Sequence, residues 1–108
     1  MVKQGDIIKI DFNPQSGHEQ AGYRPAVVVS NDVFNTKTNM TLVCPITNTN
    51  NQFPLDSRTQ TKGVILCEHI KALDLQSRNY KPVETLPKDI LETVVETVFG
   101  EIEILEDN

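Results

Sequence analysis

No stretch of this chain is both long and apolar enough to span a membrane. Its opening residues, Met1-Val2-Lys3-Gln4-Gly5-Asp6, lack the apolar centre of a secretory leader, so the cytoplasm is the expected compartment. Cysteine is scarce. Cys44 and Cys67 both lie inside apolar, strand-like runs and are expected as buried thiols, because a disulfide needs an oxidising compartment. Several enzyme signatures are missing as well: there is no Walker-type phosphate loop, no CxxC, no HExxH and no nucleophile turn of a serine hydrolase. A zinc site can be drawn from Cys44, Cys67, His69 and His18. Against it, strand alternation sets Cys67 and His69 on one face with Glu68 on the other, and structural zinc wants four committed ligands. Repeats, linkers and low-complexity segments are absent. The 108 residues suit one domain, 1–108, around one core.

An excess of positive charge is lacking too, with a net of −5, but the deficit is local. Residues 1–83 carry nine Lys or Arg and seven Asp or Glu, whereas residues 84–108 carry one Lys and eight acids. The body is mildly basic and the acidity belongs to the C-terminal segment, so net charge does not exclude a polyanionic partner.

What the chain does contain is organised around Gly17-His18-Glu19-Gln20-Ala21-Gly22-Tyr23-Arg24-Pro25 and the apolar run after it, Ala26-Val27-Val28-Val29. Pro25 fixes its own φ and biases Arg24 toward extended geometry. A polar, Gly-punctuated loop therefore ends in one guanidinium held at the mouth of a buried strand, a suitable grip for a phosphate. The plain alternative is a surface arginine paired with Glu19.

In chain order, alternation from Ile8 to Phe12 predicts a first strand with one wet face. Residues 24–30 form the second strand. Asn31 or Asp32 caps a short helical turn, and residues 36–39 are loop. A third strand covers 40–47, where Pro45, unable to donate to a ladder, marks an edge, a bulge or the strand end. Thr47 opens a polar stretch and projects a hydroxyl near a strand end, either as a site residue or as an ordinary turn threonine. A further strand is expected over 63–70, interrupted by the carboxylate of Glu68, and a short one over 71–75. Pro87 is expected as the first residue of a helix. Its apolar stripe is Ile90, Leu91, Val94, Val95, Val98, Phe99 and Ile102, and Asp89 and Glu92 lie in its first turn. The sum is a mainly β fold with helices (α+β): a small curled antiparallel sheet or partial barrel capped by an amphipathic C-terminal helix. A chain of this size buries only about two-thirds of its unfolded surface, so a homodimer is expected.

The chemistry-bearing residues are Arg24, Thr47, Glu68, Glu19 and His18, with His69 in reserve. A cation, a hydroxyl and carboxylates suit metal-free phosphoryl chemistry in which the substrate supplies its own nucleophile.

At these residues the chain resembles a known family. Gly17-x-Glu19-Gln20-x-Gly22-x-Arg24-Pro25-Ala26-Val27-Val28 is similar to the signature of the MazF/PemK toxins, the endoribonuclease half of type II toxin–antitoxin pairs. Gly5-Asp6-Ile7 with Asp11-Phe12-Asn13-Pro14, Cys44-Pro45-Ile46-Thr47, Gly63-Val64-Ile65-Leu66-Cys67-Glu68-His69-Ile70-Lys71 with Asp74-Leu75, and Leu86-Pro87 extend the likeness over about residues 5–104. The resemblance implies an SH3-like, CcdB/PemK-like partial barrel. It also implies sequence-specific, ribosome-independent cleavage of single-stranded mRNA. The 2′-hydroxyl attacks the adjacent phosphate and leaves a 2′,3′-cyclic phosphate and a 5′-hydroxyl, with no metal and no other cofactor. Arg24 then stabilises the phosphorane charge and serves as proton donor, and Thr47 binds the phosphate or helps activate the 2′-hydroxyl. Glu68 and His18 become the candidates for a further proton-transfer group. Glu19, Gln20 and Gly22, in the loop over the RNA, and Asn48 become substrate contacts, and bases are read from segments 36–39 and 48–58. The chain departs from the family pattern at Tyr23 (commonly His), Asn48 (frequently Ser or Thr), Leu66 (Arg in one branch), Glu68 (Asp in some members) and His69 (Gln). The implied partner is an antitoxin with an acidic, disordered tail that folds across the RNA groove, while the acidic C-terminal helix serves as scaffold and dimer surface. A competing function on the same fold is a non-catalytic, CcdB-like toxin that binds gyrase. A third is an inactive RNA-binding relative. Cleavage needs the Arg24–Thr47 pair and gyrase binding does not.

Overall fold

A computed structural model describes residues 1–12, 23–48 and 55–106. The elements run β1 (Asp6–Asp11), β2 (Tyr23–Val28), α1 (Asp32–Thr38), β3 (Thr41–Thr47), β4 (Val64–Ile65), β5 (Lys71–Leu73), β6 (Tyr80–Thr85) and α2 (Lys88–Ile102). All strand pairs are antiparallel, in the order β4-β3-β2-β1-β6, with β5 also on β3. The outer edge of β3 is shared, because β5 pairs with Thr41–Val43 and β4 with Ile46–Thr47. Pro45 sits in the gap between them, where no ladder donor is needed, and its carbonyl accepts from the Leu66 amide at 2.8 Å. The proline thus marks a change of partner inside the sheet rather than its end.

Strand alternation divides the apolar residues between two cores. Ile7, Val27, Cys44 and Ile46 pack with Leu86 and Val94, beneath α2. Ile8, Ile10, Ala26, Val28 and Val43 face the other way and are closed over by Leu73, Leu75 and Val2. The sheet must curl for β5 and the 3-10 turn Leu75–Ser77 to reach that second face. Burial on both sides corrects the expectation of a wet face on β1: Ile7, Ile8 and Ile10 are all fully buried and Lys9 alone in the strand is exposed.

The local signals for α1 hold at its start. Asn31 is the N-cap, and its side-chain oxygen accepts from the Phe34 amide at 2.9 Å. Residues 36–38 belong to this helix rather than to a loop, which ends at Asn39 in the left-handed region (φ 58°). In α2, Pro87 is the N-cap and Lys88 the first helical residue, one position later than expected. Ile90, Leu91, Val94 and Val98 serve the core, but the stripe outruns the sheet, leaving Phe99 64% and Ile102 72% exposed.

Two expectations fail in the second half. The strand expected over 63–70 stops at Ile65, and Cys67–His69 is a 3-10 turn whose last amide bonds back to the Leu66 carbonyl at 3.1 Å. β6 was unmarked because it has no apolar alternation. It is an edge strand, mostly exposed, with Pro82 at a register shift against Ile7 and Ile8 of β1. The thiols are free: Cys44 is buried, and burial together with neighbouring Cys67 and Glu101 pushes its pKa up to about 12, so it stays protonated. Among the described residues, no helix is long and apolar enough to cross a membrane.

Candidate active site

Arg24 and Thr47 are brought together by strand register. β2 and β3 pair Val28 with Val43, Val27 with Cys44 and Ala26 with Pro45. The same register carried two residues further sets Arg24 opposite Thr47, on the face that holds Ala26 and Val43. Directly opposed side chains start about 5 Å apart at Cβ. Both positions lie at the open ends of strands whose inner halves are fully buried, so a rigid support carries two solvent-facing groups.

The support for Thr47 comes from Gly63. Thr47 pairs with Val64, and Gly63 (φ +124°) passes so close that a Cβ there would fall 2.2 Å from the Thr47 carbonyl oxygen. Only glycine allows that approach with that backbone conformation.

Arg24 and Thr47 line one cleft of about 240 Å³ with Phe12, Pro45, Ile46, Leu66, His69 and Lys71. The cleft is basic. Lys71 holds its ammonium 5.7 Å from the centroid of the Phe12 ring, a cation–π contact that keeps the charge beside Arg24's end of the sheet. His69 enters because the chain makes a 3-10 turn after Leu66 instead of continuing as a strand. Alternation over 63–70 carries no signal for this turn; His69, only a reserve candidate in the sequence, joins the site, and Lys71 is a lining residue that the sequence pattern missed. Glu68, exposed on the same turn, is not among the residues lining the cleft. Glu92 and Glu96 of α2 also lie outside it, as expected of a scaffold helix. His18, Glu19, Gln20 and Gly22 fall outside the described residues. Among the described residues, no group of three or more His, Cys, Asp or Glu side chains could hold a metal ion.

Asn48 separates from the other candidates. It lines a second cavity, on the α2 side of the sheet, with Lys9, Pro25, Gln60, Thr61, Lys62 and Val83. That cavity's outer wall is tied down by Glu84 of β6. The Glu84 carboxylate accepts from the Gln60 amide (3.1 Å), the Thr61 amide (2.8 Å) and the Thr61 hydroxyl (2.6 Å). Partial burial raises its pKa, but these hydrogen bonds together outweigh that and leave it below the usual carboxylate range. Arg58 fastens the same segment by forking between Asp56 (2.7 Å) and Asp89 at the start of α2 (3.0 Å). Exposed as it is, this bridge matters for position more than for stability.

Residues 3–99 match the PemK-like, MazF-like toxins of type II toxin–antitoxin systems. The chain is similar to the endoribonuclease toxin MazF of Escherichia coli strain K12, 36% identical over 93 residues that span 83% of this chain and 84% of that protein. Its fold is similar to a crystal structure of MazF from Deinococcus radiodurans, with TM-score 0.76, 30% identity and 95% of this chain and 97% of that chain covered. It is likewise similar to a MazE–MazF structure from the same organism, with TM-score 0.75, 25% identity and coverage of 96% and 98%. With a match over nearly its whole length and the Arg24–Thr47 cleft in place, this chain belongs to the PemK-like, MazF-like toxin family of type II toxin–antitoxin systems.

Proposed function

We propose that the chain is a metal-independent endoribonuclease that cleaves single-stranded mRNA in the cytoplasm, and that the Arg24–Thr47 cleft is its active site. The observation that carries this is the convergence of a guanidinium, a hydroxyl and an imidazole in one basic cleft. In the reaction, the substrate's 2′-hydroxyl oxygen attacks the adjacent phosphorus and the bond to the 5′-oxygen breaks, which yields a 2′,3′-cyclic phosphate and a 5′-hydroxyl. Arg24 neutralises the charge of the phosphorane and protonates the leaving 5′-oxygen. Thr47 orients the phosphate. His69 takes the proton from the 2′-hydroxyl, the role for which Glu68 and His18 were candidates, because it is a described proton-transfer group inside the cleft.

The partner is an antitoxin, which the MazE–MazF structure supports; its acidic tail occupies the same cationic cleft, a reading that rests on the positive lining (Arg24, Lys71). The active form is a homodimer. Its support is the apolar face left uncovered at the end of α2, where Phe99 and Ile102 adjoin a groove of about 290 Å³ lined also by Phe34, Leu42, Val95 and Val98.

The test is incubation of purified protein with a long, unstructured RNA of varied sequence in excess EDTA. Discrete fragments with 5′-hydroxyl and 2′,3′-cyclic phosphate ends are expected. His69→Ala should lower kcat/KM roughly 10²-fold. Intact RNA from folded, antitoxin-free protein would overturn the proposal, and gyrase supercoiling would be assayed next.

A further inference from the structure

We propose that the second cavity, framed by Lys9, Lys62 and Asn48, is a binding subsite for the RNA strand flanking the scissile phosphate. This rests on the reading of the chain as an endoribonuclease of single strands. The cavity measures about 410 Å³ and opens on the α2 side of the sheet, beyond the end of the helix-covered core. It is not part of the Arg24 cleft, yet the two share a rim. Arg24 and Thr47 line one, and the next residues along each strand, Pro25 and Asn48, line the other. Alternation turns consecutive side chains to opposite faces, so a strand held at Arg24 and carried over this rim meets the second cavity next.

Among the described residues, Lys9, Lys62 and Lys81 are exposed and engage in no ion pair. Lys9 stands directly opposite Lys81 across the β1–β6 ladder. Like charges in that position repel, and a folded protein keeps such a pair at a cost unless an anion sits between them. Glu84, opposite Ile7 on the same ladder, is committed to the amides of Gln60 and Thr61 and the Thr61 hydroxyl, which fixes the wall carrying Lys62. Around these cations stand the amide groups of Asn48 and Gln60, which can both donate to and accept from a base edge. Two or three ammoniums with amide side chains between them fit a sugar–phosphate backbone with an unstacked base. An acidic peptide would use the cations but leave the amides idle.

The experiment measures binding of 2′-O-methyl RNA, whose blocked nucleophile prevents cleavage, by fluorescence anisotropy across a salt series. A long oligonucleotide and one short enough to fill only the Arg24 cleft are compared. In the Lys9→Gln/Lys62→Gln double variant, affinity for the long oligonucleotide should fall about tenfold. The slope of log K against log[salt] should shrink by about 1.4, or about 0.7 per lost phosphate contact on a single strand. The short oligonucleotide should bind with the wild-type slope, and Lys88→Gln, on α2, should leave both unchanged. Wild-type slope and affinity for the long RNA in the double variant would overturn the proposal. So would a loss confined to a poly-glutamate peptide, which would assign the cavity to a protein partner. Because the probe is never cut, this result stands apart from the cleavage assay: absent cleavage of ordinary RNA overturns the activity, and an unaltered salt slope overturns the subsite.

Discussion

Arg24→Ala should slow RNA cleavage by roughly 10²–10³-fold while leaving the fold intact, since removal of a single preorganised donor to developing charge costs about that much. Structural damage is not expected. The Arg24 side chain is exposed at the start of β2, and the apolar residues that anchor the strand, Ala26, Val27 and Val28, lie deeper and are fully buried. Single-turnover kinetics at saturating RNA read the effect, and circular dichroism and Tm serve as the control. Arg24→Lys should recover only part of the loss, because an ammonium keeps the charge but not the planar fork that spans two phosphate oxygens. If Arg24→Ala cleaves at a wild-type rate, the cleft is not the active site, whatever the family resemblance.

Gly63→Ala should be the most damaging small substitution in the described part of the chain. The added methyl would lie 2.2 Å from the Thr47 carbonyl oxygen and 2.9 Å from its carbon, both backbone atoms that cannot rotate aside. The φ of +124° is strained for any side chain besides. Overpacking of this kind costs about 1–3 kcal/mol and the backbone conformation roughly 1–2 more. For a domain of this size, about 3 kcal/mol lowers Tm by on the order of 15 °C. The variant should lose activity even at temperatures where it is folded, because relief of the clash moves the end of β3 and with it Thr47. Thermal unfolding and the cleavage rate well below Tm check the two parts. A Tm within about 3 °C of wild type would mean that β4 lifts away from β3 at little cost, and that Thr47 is not held by it.

Much of this was legible in residue order. The runs at 7–10, 26–29 and 41–46 announced strands because their apolar residues are consecutive or alternate, and the stripe on α2 announced a helix that buries one face. The Asn31-Asp32 pair announced a cap for α1, and the structure gives it to Asn31. The Arg24–Thr47 pairing was recoverable in principle, since the register that buries Ala26 against Pro45 and Val27 against Cys44 leaves one arrangement for their neighbours. Other parts carried no local mark. β6 is an exposed edge strand whose pairing is decided by the backbone of β1 rather than by apolar alternation. The 63–70 stretch read as one strand because its residues are strand formers. It leaves the ladder after Leu66, whose amide makes a last in-register bond to the Pro45 carbonyl while Pro45, without an N–H, returns none, and Cys67–His69 turns away.

By itself, then, the sequence determined which residues had to be buried, where α1 begins, and that an arginine would sit at the mouth of a buried strand beside a family signature. These are consequences of side-chain polarity and of φ restriction at proline, and they act within a few residues. Only the tertiary structure decided which groups share a site. His69 rather than Glu68 enters the Arg24 cleft, and Asn48 leaves it for a cavity with Lys9 and Lys62. Those assignments depend on the direction a side chain takes from a turn or a strand end. That direction is set by long-range backbone hydrogen bonds and by one close approach at Gly63, neither of which local polarity encodes.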